Sequence, residues 1–250
     1  MPNSFYNKFK GHELFIASMQ DQFDLVHYRA KPIVTSFLTI NEQEIVKTIC
    51  PGNLSVSFFG GYENAIRQVC CISEYDEEFD YDICCLMTRY NSNYNSISHH
   101  DVLGALMNLG IDRNQIGDFV IEQDRVYIFC TKNISEFIIM QCNTIARTKV
   151  KFDYTENIPL NIQNFKELHI NCASNRLDAI VAQLARCSRK EALNKIHHKD
   201  VKLNDFELEE NCQLCLNDVV SIHRVGKFIY RGVVSTTKKD RYILKFDQFI

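Results

Sequence analysis

No apolar run in this sequence approaches the roughly 18–20 residues that span a bilayer. Its opening residues, MPNSFYNKFKGHELF, are too polar for a secretory h-region. Both absences argue against the membrane and secreted classes, and a soluble cytosolic protein is expected. No internal repeat and no low-complexity tract occurs, so a solenoid is not expected. Nor is a disulfide framework, because the eleven cysteines are odd in number and accompany no secretion signal. Cys70-Cys71 and Cys84-Cys85 sit in apolar, strand-like runs, where a thiol acts as a small hydrophobe. Cys212-Gln213-Leu214-Cys215 has no second pair at finger-like spacing. A zinc set would have to draw on His197, His198 or Cys187, and a redox dithiol lacks its strand–helix setting. No metal and no cofactor is expected.

What is present is an ordinary globular composition, 46% hydrophobic and 24% charged over 250 residues, with a charge asymmetry inside it. Residues 1–173 hold 14 Lys+Arg against 21 Asp+Glu (net −7), whereas residues 174–250 hold 14 against 10 (net +4). Only the C-terminal part has the sign of a nucleic-acid surface.

The pattern along the chain predicts an α+β protein in several blocks. In the first, 1–75, the spacing of Phe5, Phe9, His12, Phe15, Ile16, Met19, Phe23 and Val26 predicts a helix over 1–29. A strand is expected at 33–38, a short helix at 42–49 with Asn41 as N-cap, and strands at 54–59 and 67–72 around Gly60-Gly61-Tyr62. In the second, 76–155, strands at 81–88, 117–121, 125–130 and 149–154 alternate with helices at 98–109 and 134–145. That β-α-β-β-α-β order is the ferredoxin-like, RRM-like unit. The RRM aromatic RNA signature is missing. Tyr127 and Phe129 can either stack bases or belong to the core or sheet face. Residues 156–173 are polar, contain Pro159 and read as a linker. The last block, 174–250, begins with helices at 176–184 and 189–196, followed by strand signals at 201–203, 213–216, 219–222 and 228–234.

The candidate binding residues lie in that last block. Ser188 with Glu191 forms a capping box, so Arg189 and Lys190 fall in a helix's first turn. Cations beside the positive end of the helix dipole cost a few tenths of a kcal/mol each. Asn175 and Asp178 can cap the preceding helix in the same way, which puts Arg176 in a first turn too. With Lys195, Lys199, Lys202, Arg224 and Lys227 they form a basic set suited to phosphate. The plainer alternative is a solvated face with local ion pairs, such as Arg176 with Asp178. His99-His100-Asp101 invites a catalytic reading, but Asp101 completes a capping box with Ser98 and no nucleophile stands nearby in sequence. Glu63 and Arg67, four apart, can pair on a helical turn after the paired glycines.

Arg176-Leu177-Asp178, Ser188-Arg189-x-x-Ala192, Ile196, Val201-Lys202-Leu203-Asn204 and Asn217-Asp218-Val219-Val220 resemble the alpha-L RNA-binding domain. That domain occurs in ribosomal small-subunit protein four, bacterial pseudouridine synthases and tyrosyl-tRNA synthetase tails. Two positions depart from its pattern: Lys199 stands where a glycine is usual, and Asn217-Asp218 replaces Gly-Asp. Asn tolerates left-handed geometry better than Lys does, so Lys199 is expected to strain its turn or the turn to differ. FFGGYENAIRQVCCI (58–72), HDVLGALMNLGIDRNQIGD (100–118) and FIIMQCNTIARTKVKF (137–152) resemble the YlmH family of bacterial RNA-binding proteins. The resemblance implies a non-enzymatic factor of the large ribosomal subunit. It implies contact with rRNA and peptidyl-tRNA, a role in ribosome-associated quality control of stalled translation, and a possible quality-control protein partner. It carries RNA binding onto Arg176 and Arg189 alone. An RNA-modifying enzyme of the pseudouridine synthase kind, targeted by the C-terminal domain, is the alternative; its Asp-containing catalytic loop is not found in residues 1–173.

Overall fold

In a computed structural model, residues 11–75, 79–92, 96–158, 165–204, 206–208 and 210–249 are described. The expected contributions of Phe5 and Phe9 lie outside these residues. The chain divides into two compact units, Met1–Ile162 and Gln163–Ile250. The mixture of helix and sheet is that of an α+β protein.

The first unit begins with helix α1 (Glu13–Arg29), which buries Ile16, Met19, Phe23 and Val26 at helical spacing. Strand β1 (Ile33–Val34) and helix α2 (Ile40–Ile49) follow. Thr39, not Asn41, caps α2. Its hydroxyl accepts from the Glu42 N–H while the Glu42 carboxylate accepts from the Thr39 N–H. Asn41 pairs instead with the His12 ring. Strands β2 (Ser55–Phe59) and β3 (Val69–Ser73) complete a three-stranded antiparallel sheet of order β1-β3-β2, and the helices pack on it through Ile16, Phe23, Ile45, Val46, Cys70 and Ile72.

The rest of this unit is a four-stranded antiparallel sheet with two helices. Its strands are β4 (Ile83–Arg89), β5 (Ile116–Glu122), β6 (Arg125–Thr131) and β9 (Asp153–Tyr154), in the order β5-β6-β4-β9. Helix α3 (His99–Asn108) starts at the Ser98–Asp101 capping box, and helix α4 (Lys132–Gln141) follows β6. The helix expected at 134–145 stops at Gln141. Beyond Cys142 the chain turns into a hairpin of β7 (Thr144–Ile145) and β8 (Thr148–Lys149), with Ala146 left-handed at its tip. The helices cover one sheet face through Val102, Leu106, Ile138, Leu86, Ile128 and Phe152.

The opposite face carries Cys85, Tyr127 and Phe129, and it is covered as well. Tyr62 and Ala65 lie on it, with the Tyr62 and Phe129 ring centroids 4.8 Å apart. Gly61 makes this approach possible: its φ is +97°, and a Cβ there would stand 2.4 Å from the Phe129 ring. Asp118 fastens the crossing. It accepts from the Tyr62 hydroxyl at 2.8 Å, the Ile66 N–H at 2.6 Å and the Arg67 N–H at 3.2 Å. No helical turn forms at 63–67, because Asn64 is left-handed; the Arg67 guanidinium donates to the carbonyls of Ile116, Phe37 and Arg113.

The second unit holds β10 (Phe165–Cys172), helices α5 (Leu177–Leu184) and α6 (Arg189–His197), and strands β11 (Val201–Leu203), β12 (Phe206–Glu207), β13 (Val219–Ile222), β14 (Gly226–Thr236) and β15 (Tyr242–Phe249). Its antiparallel sheet has the order β10-β15-β14-β13-β11-β12. Residues 165–172, expected in a linker, are therefore a full strand paired along β15 from Phe165↔Phe249 to Cys172↔Tyr242. Their polar residues mislead because one side of β10 stays exposed while Leu168, Ile170 and Cys172 turn to the core. The strand expected at 213–216 reduces to one bridge, Arg176↔Gln213. Leu177, Ile180, Val181, Ala192 and Ile196 of the two helices pack on Val201, Val220, Ile222, Phe228, Leu244 and Phe246.

Candidate nucleic-acid interface

Arg176 and Arg189 are brought together by Asp178. Arg176 is the N-cap of α5 rather than a first-turn residue, and Asn175 does not cap the helix: its amide donates to the Leu214 carbonyl. Asp178 is 2% exposed. One of its carboxylate oxygens accepts from Arg176 Nε at 3.2 Å; the other accepts from Arg189 Nε at 3.0 Å and from its Nη2. Burial alone would raise the Asp178 carboxyl, but the Asn211 amide and the Arg189 guanidinium more than offset it and hold the group below its ordinary range. Both arginine side chains remain about half exposed, at 51% and 56%. The result is a pair of guanidinium groups clamped from beneath and open above, at the starts of two adjacent helices. Such a pair can take a phosphate without first losing side-chain freedom.

The Ser188–Glu191 capping box forms as expected, so Arg189 and the exposed Lys190 occupy the first turn of α6. Lys195 is half-buried in the last turn. Of the two outcomes open for Lys199, the turn is kept and the residue is left-handed, with φ 64°. Its N–H donates to the Ile196 carbonyl and that of Asp200 to the Lys195 carbonyl, a Schellman closure in which a lysine occupies the glycine position. Arg186 closes α5 in the same way, with φ 51°.

Lys202 and Lys227 occupy a different place. They share one row across β11, β13 and β14 through the pairs Lys202↔Ser221 and Ser221↔Lys227, while neighbouring Val201, Val220, Ile222 and Phe228 point into the core under the helices. The two lysines thus lie on the sheet face away from α5 and α6. Glu207 pairs with Lys199 at 2.8 Å and approaches Lys202 at 4.0 Å, and Lys227 stands 5.5 Å from the centre of the Phe249 ring. Arg224 is left-handed in the β13–β14 turn. The basic set is therefore not one surface: Arg176, Arg189 and Lys190 lie at the helix starts, Lys195 and Lys199 at the end of α6, Lys202 and Lys227 on the back of the sheet and Arg224 in a turn.

The sequence pattern did not single out Lys238, Lys239 and Arg241, exposed at the turn of the long β14–β15 hairpin beside exposed Val233 and Val234. The signal for that hairpin was present in 242–249, where Leu244 and Phe246 alternate with more exposed neighbours. Tyr127 and Phe129 are 2% and 0% exposed, so neither can stack a base. His99 reaches the Phe119 carbonyl, and Asp101 is engaged by Ser98. Cys212 is half-buried against the core and Cys215 is exposed, with its N–H donated to Asp218. Among the described residues, no group of three or more His, Cys, Asp or Glu is placed to hold a metal, and no helix is long and apolar enough to cross a membrane.

Comparison with known proteins first defines the class. Residues 76–158 match the family model described as "Putative RNA-binding domain in YlmH". The chain is 28% identical over 228 residues, 88% of each sequence, to "Ribosome-associated protein quality control protein P2" of Bacillus subtilis (strain 168). The fold is similar to that of "Cell division protein ylmH from Streptococcus pneumoniae", with a TM-score of 0.50 and 18% identity over 58% of this chain and 92% of that one. The matches agree on one class: the chain is similar to the YlmH family of RNA-binding proteins, with the family model confined to its central domain.

Proposed function

We propose that this protein is a non-enzymatic RNA-binding factor of the large ribosomal subunit, contacting rRNA and peptidyl-tRNA in quality control of stalled translation. The observation that carries the reading is the Arg176–Asp178–Arg189 clamp, two half-exposed guanidinium groups held by one buried carboxylate at two helix starts. The name of the Bacillus subtilis relative supplies the ribosomal setting. In this reading residues 165–249 form an alpha-L domain enlarged by β10 and β15, and the central sheet, whose order corresponds to 4-1-3-2 in its own strand numbering, is ferredoxin-like. Lys190, Lys195, Lys199, Lys202, Arg224 and Lys227 add long-range attraction, with the helix-side residues nearest the clamp. The engagement of Asp101 and His99 in a cap and a strand contact argues against the catalytic reading of that pair.

Arg189→Ala tests the reading. The variant should fold normally and lose co-sedimentation with large ribosomal subunits by about tenfold or more, since a charge-assisted bidentate contact is worth about 1.5–3 kcal/mol. Undiminished pelleting of a folded Arg176→Ala/Arg189→Ala variant would refute it.

A further inference from the structure

The domain matched by the RNA-binding family model does not offer the open aromatic surface that such a sheet ordinarily presents. Cys85, Tyr127 and Phe129 are buried under the 60–67 crossing. One end of the same face stays open, and it is cationic. On β4 and β6, Arg89 and Arg125 are direct register partners. Like charges directly opposite one another destabilise a sheet. Arg125 has a long, 3.8 Å contact to Asp124 and donates to the Tyr127 hydroxyl, while Arg89 is exposed and has no carboxylate partner among the described residues. On the other side of β4, the pairs Leu86↔Tyr154 and Met87↔Asp153 seat β9, and Lys151 lies two residues before it, next to the Arg89 end of β4. The Lys151 N–H is fixed there by the Thr88 hydroxyl at 3.1 Å.

The stretch leading to Lys151 extends the row. Thr148, Val150 and Phe152 are buried while Lys149 and Lys151 are exposed, so these two cations alternate with core residues, and exposed Arg147 stands in the β7–β8 turn just before them. None of the three has a carboxylate partner among the described residues. Alternate residues on an extended chain are about 7 Å apart, a spacing suited to successive phosphates of one strand. Carboxylates bound the row: Glu122 opposite Arg125 and Asp153 beyond Lys151.

We infer that Arg125, Arg89, Lys151, Lys149 and Arg147 form a second RNA contact, one that grips the phosphate backbone across the open end of the central sheet instead of stacking bases on its aromatic face. It is a site separate from the C-terminal clamp, and it rests on the reading of the chain as a binder of ribosomal RNA. A backbone grip of this kind positions RNA without reading its sequence.

The test uses the full-length chain and purified bacterial large ribosomal subunits, comparing the wild type, Arg189→Ala and the combined variant Arg89→Gln/Arg147→Gln/Lys149→Gln/Lys151→Gln. The combined variant should melt no lower than the wild type, because the four side chains are exposed and the Arg89–Arg125 repulsion is relieved. Its slope of log K against log salt should flatten by about 3–3.5, at roughly 0.7–0.9 for each of four phosphates no longer neutralised. Arg147→Gln/Lys149→Gln alone should give about half that change, which keeps the question open to measurement if the larger variant folds poorly. Ultraviolet crosslinks to RNA should fall in peptides covering 79–92 and 143–154. A wild type that binds, beside folded variants with unchanged slope and affinity, overturns this inference and leaves the clamp standing. A wild type that does not bind overturns the ribosomal reading, and this one with it.

Discussion

Asp118 in the first unit and Asp178 in the second are both nearly fully buried, at 9% and 2% exposure, yet they do opposite work. Asp118 meets mostly neutral donors, a tyrosine hydroxyl and two backbone N–H groups, and burial pushes its carboxyl up despite them. Asp178 meets two guanidinium groups and is held down. One carboxylate closes a surface by binding a crossing segment over an aromatic sheet face. The other presents a surface by fixing two cations that remain in solvent. Burial of a carboxylate is thus not by itself a sign of function; the sign is where its partners point.

The largest expected effect separates the two directly. Asp118→Ala leaves three donors of the crossing without their acceptor, at about 1–3 kcal/mol for each one that stays buried. A loss of about 3 kcal/mol or more should appear in urea denaturation, with hydrogen exchange rising first in peptides covering 54–75 and 116–131. RNA affinity of the C-terminal clamp should be unaffected. A variant with unchanged exchange in those peptides would show that the crossing is held by packing alone.

A smaller effect is expected at the clamp. Asp178→Ala should lower stability by only about 1 kcal/mol, since its ion-pair partners are half exposed and screened. It should weaken binding to large ribosomal subunits by about 1–2 kcal/mol, because two arginines must then be ordered on contact. A variant that binds as tightly as the wild type would remove preorganisation from the explanation.

Acid should distinguish the carboxylates by sign. The raised Asp118 binds its proton more tightly in the folded state, so its contribution favours folding as pH falls and is lost as pH rises through its native value. The lowered Asp178 contributes stability above the ordinary aspartate range and loses it as pH falls through its native value. In exchange measurements on descending pH, protection near α5 and α6 should therefore weaken before protection near β5 does. The reverse order would mean that other groups dominate both units.

The smallest effect concerns Lys199. Lys199→Gly relieves a left-handed residue and should stabilise the second unit by about 1 kcal/mol, read as a raised melting temperature. A lower melting temperature would mean that the Glu207 contact outweighs the backbone strain.

Much of this was legible in the residues themselves, because the signals were local. Ser188 with Glu191 and Ser98 with Asp101 specify their helix starts within four residues, and both boxes form. Lys199, standing at a glycine position, marked a turn that would be either strained or altered, and the structure keeps it left-handed. The errors have equally specific causes. Residues 165–172 read as linker because a strand with one exposed side carries enough polar residues to hide its partner, β15, some eighty positions away. Asn41 looked like a cap because both it and Thr39 can supply the oxygen, and only the geometry of Glu42 chooses between them. The eight basic residues looked like one set because sequence spacing does not say which face of a sheet a side chain takes; the register Lys202↔Ser221↔Lys227 does.

The sequence by itself determined the class of elements, the capping-box helix starts at Ser98 and Ser188 and the charge asymmetry, because these depend on residue type and short spacing. Only the tertiary structure decided that Tyr127 and Phe129 are covered, that Asp178 joins Arg176 to Arg189, and that Arg89 faces Arg125. The physical reason is the same in each case. Exposure, ion pairing and cross-strand neighbours are set by residues distant in the chain, and a carboxylate or a ring takes its meaning from what the fold lays against it.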